Sequence, residues 1–143
     1  MIITKETDYA LRILRVLLDG EKHSVAEMSE TELIPNQFAY QILRKLSAGN
    51  LVQVSRGALG GCELSCALDA TSLYDLMGVV GERGILCACM EPGYECRWQD
   101  KHGRGTIHCQ LAALQQKQDE AFRAVSLRRL LTGGSDPQDT SKL

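Results

Sequence analysis

The chain has 143 residues, 44% of them hydrophobic and 24% charged, a composition typical of one compact domain with an appendage and not of a disordered chain. Its 18 acidic and 16 basic residues give a net charge of −2, which excludes a globally polycationic nucleic-acid binder. No apolar run approaches the ~18 residues that a membrane-spanning helix needs, and the first ten residues do not read as a signal peptide, so we expect a cytoplasmic protein without a membrane partner.

Three helices are predicted in the first fifty residues, because apolar residues recur there at helical spacing between capping residues. The predicted bounds are 5–18, 25–29 and 34–48. Ser24 followed by Glu27 indicates a capping box at the start of the second helix. Pro35 opens the third helix, since proline at the first helical position loses no hydrogen bond.

A hairpin is predicted next. Residues 51–55 alternate apolar and polar side chains as a half-buried strand does, and 62–65 return as a second strand. The turn between them contains three glycines, which permit positive φ. Three helices followed by a two-stranded hairpin outline a winged helix-turn-helix, with a small α+β domain lacking any nucleic-acid function as the alternative.

The second half of the chain is predicted to contain two more helices. Thr71 or Asp69 can cap a short helix that ends near Val80. After an irregular segment, a long helix over 107–132 carries a heptad seam that is interrupted at Gln118. A helix this long cannot bury its whole apolar stripe against so small a domain, so we expect it to form a homodimer.

The predicted organisation therefore has four parts. They are a winged helix-turn-helix domain at 1–80, a cysteine-rich loop at 81–106, a dimerisation helix at 107–132 and a flexible tail at 133–143. The expected fold class is mainly α, with a two-stranded wing and a long C-terminal helix.

The third helix is the predicted DNA-reading element, because hydrogen-bonding side chains that can read base edges fall on its outer side. The inward side is predicted to hold Phe38, Ala39, Ile42, Leu43 and Leu46. Between Leu33 and Cys62 there are three bases and no acid, which suits a local phosphate-binding surface. Arg56, in the hairpin turn, suits a wing that reaches phosphate or the minor groove. The predicted DNA-binding residues are Asn36, Gln37, Tyr40, Gln41, Arg44, Lys45 and Arg56.

Six cysteines are unusual for a chain expected in the cytosol, where thiols stay reduced and clustered cysteines mark metal or redox chemistry more often than disulfides. Four of them crowd into 23 residues, namely Cys87, Cys89, Cys96 and Cys109. Cys62 and Cys66 lie in and just after the second predicted strand, so we expect them to be structural. His23 precedes a helix cap and is expected to be exposed.

Several short motifs resemble, in their order along the chain, the Rrf-two family of bacterial transcription regulators. They are Thr7-Asp-Tyr-Ala-Leu-Arg12, Ile34-Pro35, Gln41-Ile-Leu with Leu46, and Arg56-Gly with Gly60-Gly61. The resemblance covers residues 1 to about 131. It implies a homodimeric winged-helix protein that binds promoter DNA at a palindromic operator and is not an enzyme.

The resemblance also implies a cofactor, since many members hold an iron–sulfur cluster through three cysteines of the loop before the dimerisation helix. By that resemblance the ligands here are Cys89, Cys96 and Cys109, and the further candidates are Asp8, Cys87 and His108. Twelve residues separate Cys96 from Cys109, a wider spacing than those relatives usually show. The cluster type, 2Fe–2S or 4Fe–4S, stays open.

Other uses of these cysteines are alternatives to the cluster. Three other uses account for part of the cysteine spacing. The cysteines can bind zinc, Cys87 or Cys89 can form a reversible disulfide, or the thiols can simply pack as small apolar groups. The functional expectation is a dimeric regulator whose promoter affinity depends on an iron–sulfur cluster or on cysteine redox state. The alternatives are a cluster-free regulator controlled by a protein or small-molecule partner, and a cluster-bearing electron carrier. No nucleotide-binding glycine fingerprint or nucleophile elbow favours an enzyme.

Overall fold

The computed structural model describes residues 1–134 of the chain. Its helices and strands are α1 (Lys5–Val16), α2 (Val25–Glu32), α3 (Asn36–Ala48), β1 (Val52–Ser55), β2 (Gly61–Leu64), α4 (Leu73–Val80), α5 (Arg97–His102), α6 (Thr106–Arg123) and α7 (Leu127–Thr132). Short 3-10 turns follow α1 and precede α5, at Leu17–Asp19 and Ala88–Met90. Most of the predicted flexible tail, residues 135–143, lies outside the described residues.

The first two helices begin where their capping residues predict, whereas α3 begins at Asn36, two residues after its predicted start. The hydroxyl of Thr4 accepts a hydrogen bond from the backbone N–H of Thr7, and the hydroxyl of Ser24 accepts one from that of Glu27. Pro35 occupies the N-cap of α3. Two helix ends differ from the prediction, because α1 tightens into a 3-10 turn after Val16 and α2 continues beyond the predicted end to Glu32.

The two strands form an antiparallel hairpin in which Val52 pairs with Leu64 and Ser55 with Gly61. Gly57 has a φ of +98° in the turn, a conformation that a residue with a side chain adopts only with strain. This hairpin is the wing. Along the free edge of β2, the backbone of His23 exchanges two hydrogen bonds with Cys62, at 3.0 and 2.8 Å, which joins the loop before α2 to β2.

The core lies between α1, α2, α3, α4 and the base of the wing. Ala10, Ile13, Leu46 and Leu76 are fully buried there. Cys62 is also buried, which agrees with its predicted structural role. This core holds the exposed side of α3 and the wing on the same rigid domain.

Ser72 caps α4, where the sequence pointed to Thr71 or Asp69. Its hydroxyl accepts from the N–H of Asp75, whose carboxylate accepts from the N–H of Ser72, so both halves of a capping box are present.

The single long helix predicted over 107–132 is divided in two. α6 ends at Arg123, and Ser126 caps the separate helix α7. The chain between them pairs with the start of α4, since the N–H of Leu73 donates to the carbonyl of Val125. These bonds turn α7 back onto the core, where Leu127 is fully buried. The predicted class, mainly helical with a two-stranded wing and a long C-terminal helix, is confirmed, although that helix, α6, has 18 residues and does not extend over the whole of 107–132.

The predicted irregular segment 81–106 contains both a 3-10 turn and the short helix α5. It connects α4 of the winged helix to α6. None of the helices within residues 1–134 combines the length and the apolar character that crossing a membrane requires.

Candidate functional site

The outer side of α3 presents five of the predicted DNA-binding side chains to solvent. These are Asn36, Gln37, Tyr40, Gln41 and Arg44, all of them exposed. Ala39, Ile42 and Leu46 are buried against the core, which fixes the rotation of the helix about its axis. The exposed side chains therefore keep a fixed direction, because α3 cannot rotate about its axis without losing its contacts with the core.

Lys45 differs from the other predicted contacts because its ammonium group turns toward the protein. Its Nζ donates to the carbonyl of Val80 at 2.9 Å and pairs with the carboxylate of Glu6. Lys45 thus ties α3 to α1 and α4, and its side chain remains 41% exposed.

Phe38 was predicted to face inward but is 44% exposed. Its ring lies 6.1 Å from that of Tyr9 on α1, measured between centroids. Phe38 lies near the N-terminal end of α3, where the apolar side of the helix is only partly covered by the core. It therefore lies beside the exposed polar side of α3.

Arg56 is exposed in the turn of the wing, as predicted. The neighbouring Leu59 is 91% exposed, which marks the turn as a projection free of the core. The chain from Leu33 to Cys62 contains no acid, so α3, β1 and the turn of the wing carry no negative side chain, and the acid in β2, Glu63, lies 4.0 Å from the ammonium group of Lys22.

The second candidate site is a cavity of about 460 Å³ at the cysteine-rich segment. Cys87, Cys89, Cys96 and His108 line it together. The Sγ atoms of Cys87 and Cys89 lie 3.1 Å apart, and Nδ1 of His108 lies 3.2 Å from Sγ of Cys89. The structure therefore gathers three thiols from the loop and one imidazole from α6.

The walls of the cavity are apolar and closely packed. Trp98, Ile107 and Leu111 contribute to them. Trp98 lies directly against the backbone of Gly105, where an added Cβ would meet the indole at 2.8 Å. Gln99 makes a 2.7 Å hydrogen bond to Nδ1 of His108 and so orients the imidazole.

The thiols differ in their ease of ionisation. The pKa of Cys87 is lowered, because its sulfur accepts a hydrogen bond from the thiol of Cys89 and another from the backbone N–H of Cys89. The pKa of Cys89 is raised for the reciprocal reason, since its thiol donates to Cys87. Burial raises the pKa of Cys62 to about 11, which leaves that thiol inert in its structural position.

Two predicted metal ligands lie away from this cavity. Cys109 is exposed and does not line it, although it is adjacent to His108 in α6. Asp8 pairs with Arg12 at 2.8 Å and lines a separate groove beside α1. Within the described residues, no three His, Cys, Asp or Glu side chains are already arranged to hold a single metal ion.

Two glutamines of α6 form hydrogen bonds to the backbone at the beginning of the cysteine-rich segment, a contact that the sequence did not predict. Gln115 accepts from the N–H of Leu86 at 2.7 Å, and it donates to the carbonyl of Gly84 at 3.3 Å. Gln118 donates to the same carbonyl of Gly84 at 2.5 Å. The signal for this contact was the interruption of the heptad seam at Gln118, a polar residue where the pattern calls for an apolar one.

Comparison with known proteins identifies the family. The sequence profile of the Rrf2 family, described as "Iron-dependent Transcriptional regulator", matches residues 3–133. The chain belongs to the Rrf2 family. A curated relative, Protein aau3 of Rhizobium meliloti (strain 1021), is 31% identical over 106 residues, which cover 72% of this chain and 69% of that protein.

Solved Rrf2-like structures share the fold. CymR, described as the global cysteine regulator of B. subtilis, superposes with a TM-score of 0.66 at 19% identity over 94% of this chain and 99% of that one. IscR of T. potens gives a TM-score of 0.69 at 15% identity over 96% and 91% of the two chains. The oxidized form of Staphylococcus aureus CymR gives 0.67 at 17% identity over 95% and 100%.

Membership in the Rrf2 family confirms the resemblance found in the sequence. The chain is a transcription regulator that binds DNA through its winged helix, and it is not an enzyme. Rrf2 regulators act on promoter DNA, so the exposed side of α3 and the wing are the parts of this domain suited to that contact.

Proposed function

We propose that this Rrf2 regulator is a homodimer that binds a palindromic operator and whose operator affinity changes when its cysteine-rich segment holds an iron–sulfur cluster. The observation that carries the proposal is the position of the cysteine cavity. It lies on the segment that connects α4 of the winged helix to α6, and it is lined by side chains from both the segment and α6.

The DNA contact is assigned to Asn36, Gln37, Tyr40, Gln41 and Arg44 on α3, and to Arg56 on the wing. Their exposure, the hydrogen-bonding chemistry of the side chains and the acid-free stretch of chain support this assignment. One domain offers few positive charges, so a single copy would bind weakly. Two copies would bind two half-sites about one helical turn of DNA apart.

The homodimer is assigned to α6, in which none of the side chains is buried. Ile107 is 77% and Leu114 52% exposed, and Ala121 is exposed on the same heptad seam. An apolar seam of this kind is stabilised when a second copy covers it. Since promoter DNA is the partner, we place the protein in the cytoplasm.

The donor set of the cavity suits an iron–sulfur cluster chemically, because thiolates are its usual protein ligands and imidazole replaces them in some clusters. We assign Cys89 and Cys96 as ligands, as the family resemblance implied. The cavity favours Cys87 and His108 to complete the set over the predicted Cys109. Asp8 would act only from a partner copy, as the acidic ligand does in some relatives.

A bound cluster would supply an oxidant-sensitive link between residues that otherwise meet through weak thiol and imidazole contacts. The chain itself converts that link into a change at the DNA. With Cys87 and Cys96 drawn to His108, the segment between α4 and α6 would be held shorter, and the winged helix would sit differently on the dimerisation helix. The separation of the two α3 helices would then match, or fail to match, the operator half-sites.

The test is purification without oxygen, with measurement of the visible spectrum, the iron and sulfide content, and operator binding before and after chelation of the iron. We expect a coloured protein whose operator affinity differs between the two states. Cys96→Ala should remove the colour while leaving the helical content and the dimer unchanged, whereas Cys62→Ala should keep the colour.

Four outcomes contradict the proposal. A colourless, iron-free protein that still binds its operator is a cluster-free regulator, and one that contains a stoichiometric zinc ion uses the thiols for that metal. Equal operator affinity of the loaded and chelated protein removes the coupling. A coloured protein that shows no salt-dependent DNA binding would indicate an electron carrier.

A further inference from the structure

We propose that Cys87 and Cys89 form an intramolecular disulfide when the cluster-free protein meets a peroxide, which makes the Cys87-Ala88-Cys89 turn a site of reversible oxidation. The disulfide itself does not depend on the proposed cluster. Its regulatory meaning rests on the proposed function, because it removes two thiols from the set that would hold the cluster.

The geometry of the pair supports this chemistry. The two sulfur atoms lie 3.1 Å apart, close enough that little movement brings them to bonding distance. Both residues are free thiols and partly exposed on the wall of an open cavity, so a small oxidant can reach them. Cys87 has an extended backbone (φ −146°, ψ 137°) at the N-cap of the 3-10 turn Ala88–Met90, and the sulfur atoms of Cys87 and Cys89 lie on the same side of that turn.

The neighbours of the pair hold it in this arrangement. Nδ1 of His108 lies 3.2 Å from the sulfur of Cys89 and confines it from the side of α6. Gln99 in turn orients His108 through its 2.7 Å hydrogen bond. The backbone N–H of Met90 donates to the carbonyl of Cys87 at 2.9 Å, which closes the turn that contains both cysteines.

The oxidation balances with peroxide as the two-electron oxidant. The thiolate sulfur of Cys87 attacks one oxygen of hydrogen peroxide, the O–O bond breaks, and a sulfenic acid and hydroxide form, and the hydroxide takes up the proton that the Cys87 thiol had released and becomes one water. The sulfur of Cys89 then attacks the sulfenic sulfur, the S–O bond breaks, and its oxygen leaves as a second water with the proton of the Cys89 thiol. Two thiols are oxidised to one disulfide, and one peroxide is reduced to two waters.

The other cysteines are less suited to this reaction. Cys62 is buried in the core. Cys109 is exposed but does not line the cavity that holds the pair. Cys96 lines the same cavity from the start of α5, and it is the competitor that an experiment must distinguish from Cys89.

The experiment treats the reduced, cluster-free full chain with one equivalent of hydrogen peroxide, alkylates the remaining thiols, and maps the peptides by mass spectrometry. Cleavage after Glu82 and after Glu95 places Cys87 and Cys89 in one peptide and Cys96 in another, since the bond between Glu91 and Pro92 resists a glutamate-specific protease. We expect the 83–95 peptide to lack both alkyl groups and to be lighter by two hydrogen atoms, while Cys96 is alkylated. Dithiothreitol should restore both thiols.

Variants identify the partners. Cys109→Ser, a control outside the cavity, should form the disulfide as the wild type does. Cys89→Ser should leave Cys87 as a sulfenic acid that dimedone traps. A link from Cys96 to either cysteine, copies cross-linked through Cys109, or full alkylation of the 83–95 peptide after peroxide would each overturn the proposal. If the wild type takes up no cluster but forms this disulfide, the proposed function fails and the oxidation site stands.

Discussion

Arg44 lies on the exposed side of α3, three residues after Gln41 and therefore nearly one turn further along the helix. It is one of the side chains assigned to base reading. A guanidinium group in that position can donate two parallel hydrogen bonds to a guanine edge. We expect Arg44→Ala to weaken operator binding by about 1–3 kcal/mol and to relax the preference for one base pair. Fluorescence anisotropy with operator variants measures both effects.

Lys101→Ala is the matched control for Arg44→Ala, because it also removes one exposed positive charge but from α5, away from α3 and the wing. It should change operator affinity little. If the two variants bind every operator variant equally well, Arg44 contributes only general charge and does not read a base.

His23 is held between two carboxylates, with Nδ1 at 3.0 Å from Glu27 and Nε2 at 2.7 Å from Asp19. The hydrogen bond to Glu27 first, and that to Asp19 after it, raise the pKa of His23, although partial burial opposes them. The folded state therefore prefers protonated His23. Its contribution to stability is complete below the ordinary histidine pKa and is lost as the pH rises through the raised value.

We expect the free energy of unfolding of the wild type to exceed that of His23→Gln by more at about pH 6 than at about pH 9. Urea unfolding of both proteins at the two pH values gives the comparison. A difference that stays constant, or that grows toward high pH, would show that the imidazole is held in its neutral form.

Periodicity predicted the buried side of α3 correctly at Ala39, Ile42 and Leu46, because those positions depend on the helix alone. It was wrong for Phe38, whose surroundings depend on where α1 places Tyr9. It could not place Lys45 either, since Glu6 and Val80 come from distant parts of the chain. His23, expected to be exposed, has a side chain only 14% exposed because its backbone pairs with β2.

At the scale of whole elements, the contact between α6 and residues 84–86 links the helix to the cysteine-rich segment. The side-chain oxygen of Gln115 accepts a hydrogen bond from the N–H of Leu86, and its side-chain nitrogen donates one to the carbonyl of Gly84. A hydrogen bond of this kind contributes about 1 kcal/mol, so Gln115→Ala should reduce the protection of the Leu86 amide against hydrogen exchange by about fivefold. Exchange measured on the peptide that follows Arg83 tests this.

Gln116→Ala is the control for Gln115→Ala in the same helix. The side-chain amide of Gln116 donates to the exposed carboxylate of Glu120 at 3.0 Å, which lies in α6 and not in the cysteine-rich segment. It should leave the Leu86 amide unchanged. Equal exchange in the Gln115 and Gln116 variants would mean that Gln115 does not hold the segment. In a protein loaded with its proposed cluster, the Gln115 variant should also lose colour faster than the Gln116 variant.

The division of the C-terminal helix shows where element-level prediction stops. The apolar spacing from Ile107 to Leu131 is compatible with one continuous helix, and a serine cap at Ser126 is a weak signal within such a run. The break depends on pairing between residues 124–127 and the start of α4, through the bonds of Val125 to Leu73 and of Leu127 to Thr71. A contact between segments fifty residues apart is not encoded in local periodicity.

The cysteine site was predicted in part for the same reason. Spacing identified the segment and the residue type, and it included Cys89 and Cys96, both of which line the cavity. The family resemblance, and not the spacing, put Cys109 ahead of Cys87 and His108. Which side of α6 faces the cavity depends on the three-dimensional arrangement of the chain, in which His108 and Leu111 line the cavity and Cys109 does not.

At the scale of the whole molecule, the proposed dimer connects the separate sites. Two winged helices can read a palindrome only if their separation is fixed, and α6 is the element placed to fix it. Its heptad seam is divided between two surfaces, because Gln118 contacts residue 84 of the same chain while Ile107 and Leu114 remain open to solvent. The open part of the seam is the surface left for a second copy.

Leu114→Glu should therefore separate the dimer without unfolding the monomer. The side chain is 52% exposed in the single chain, so a carboxylate there stays hydrated in the monomer, but it would lose its water in an apolar seam at a cost of several kcal/mol. We expect the dissociation constant of the dimer to rise by more than about a hundredfold. Analytical ultracentrifugation over a range of concentrations measures it, and circular dichroism checks that the helices remain.

Gln116→Glu adds the same charge two residues along α6, about 200° around the helix axis, and should leave the dimer intact. The affinity for a full palindrome should fall in the Leu114 variant toward that for an isolated half-site, whereas the Gln116 variant should still bind the palindrome as the wild type does. If the Leu114 variant remains dimeric, another surface joins the copies, and the separation of the α3 helices is not set by α6.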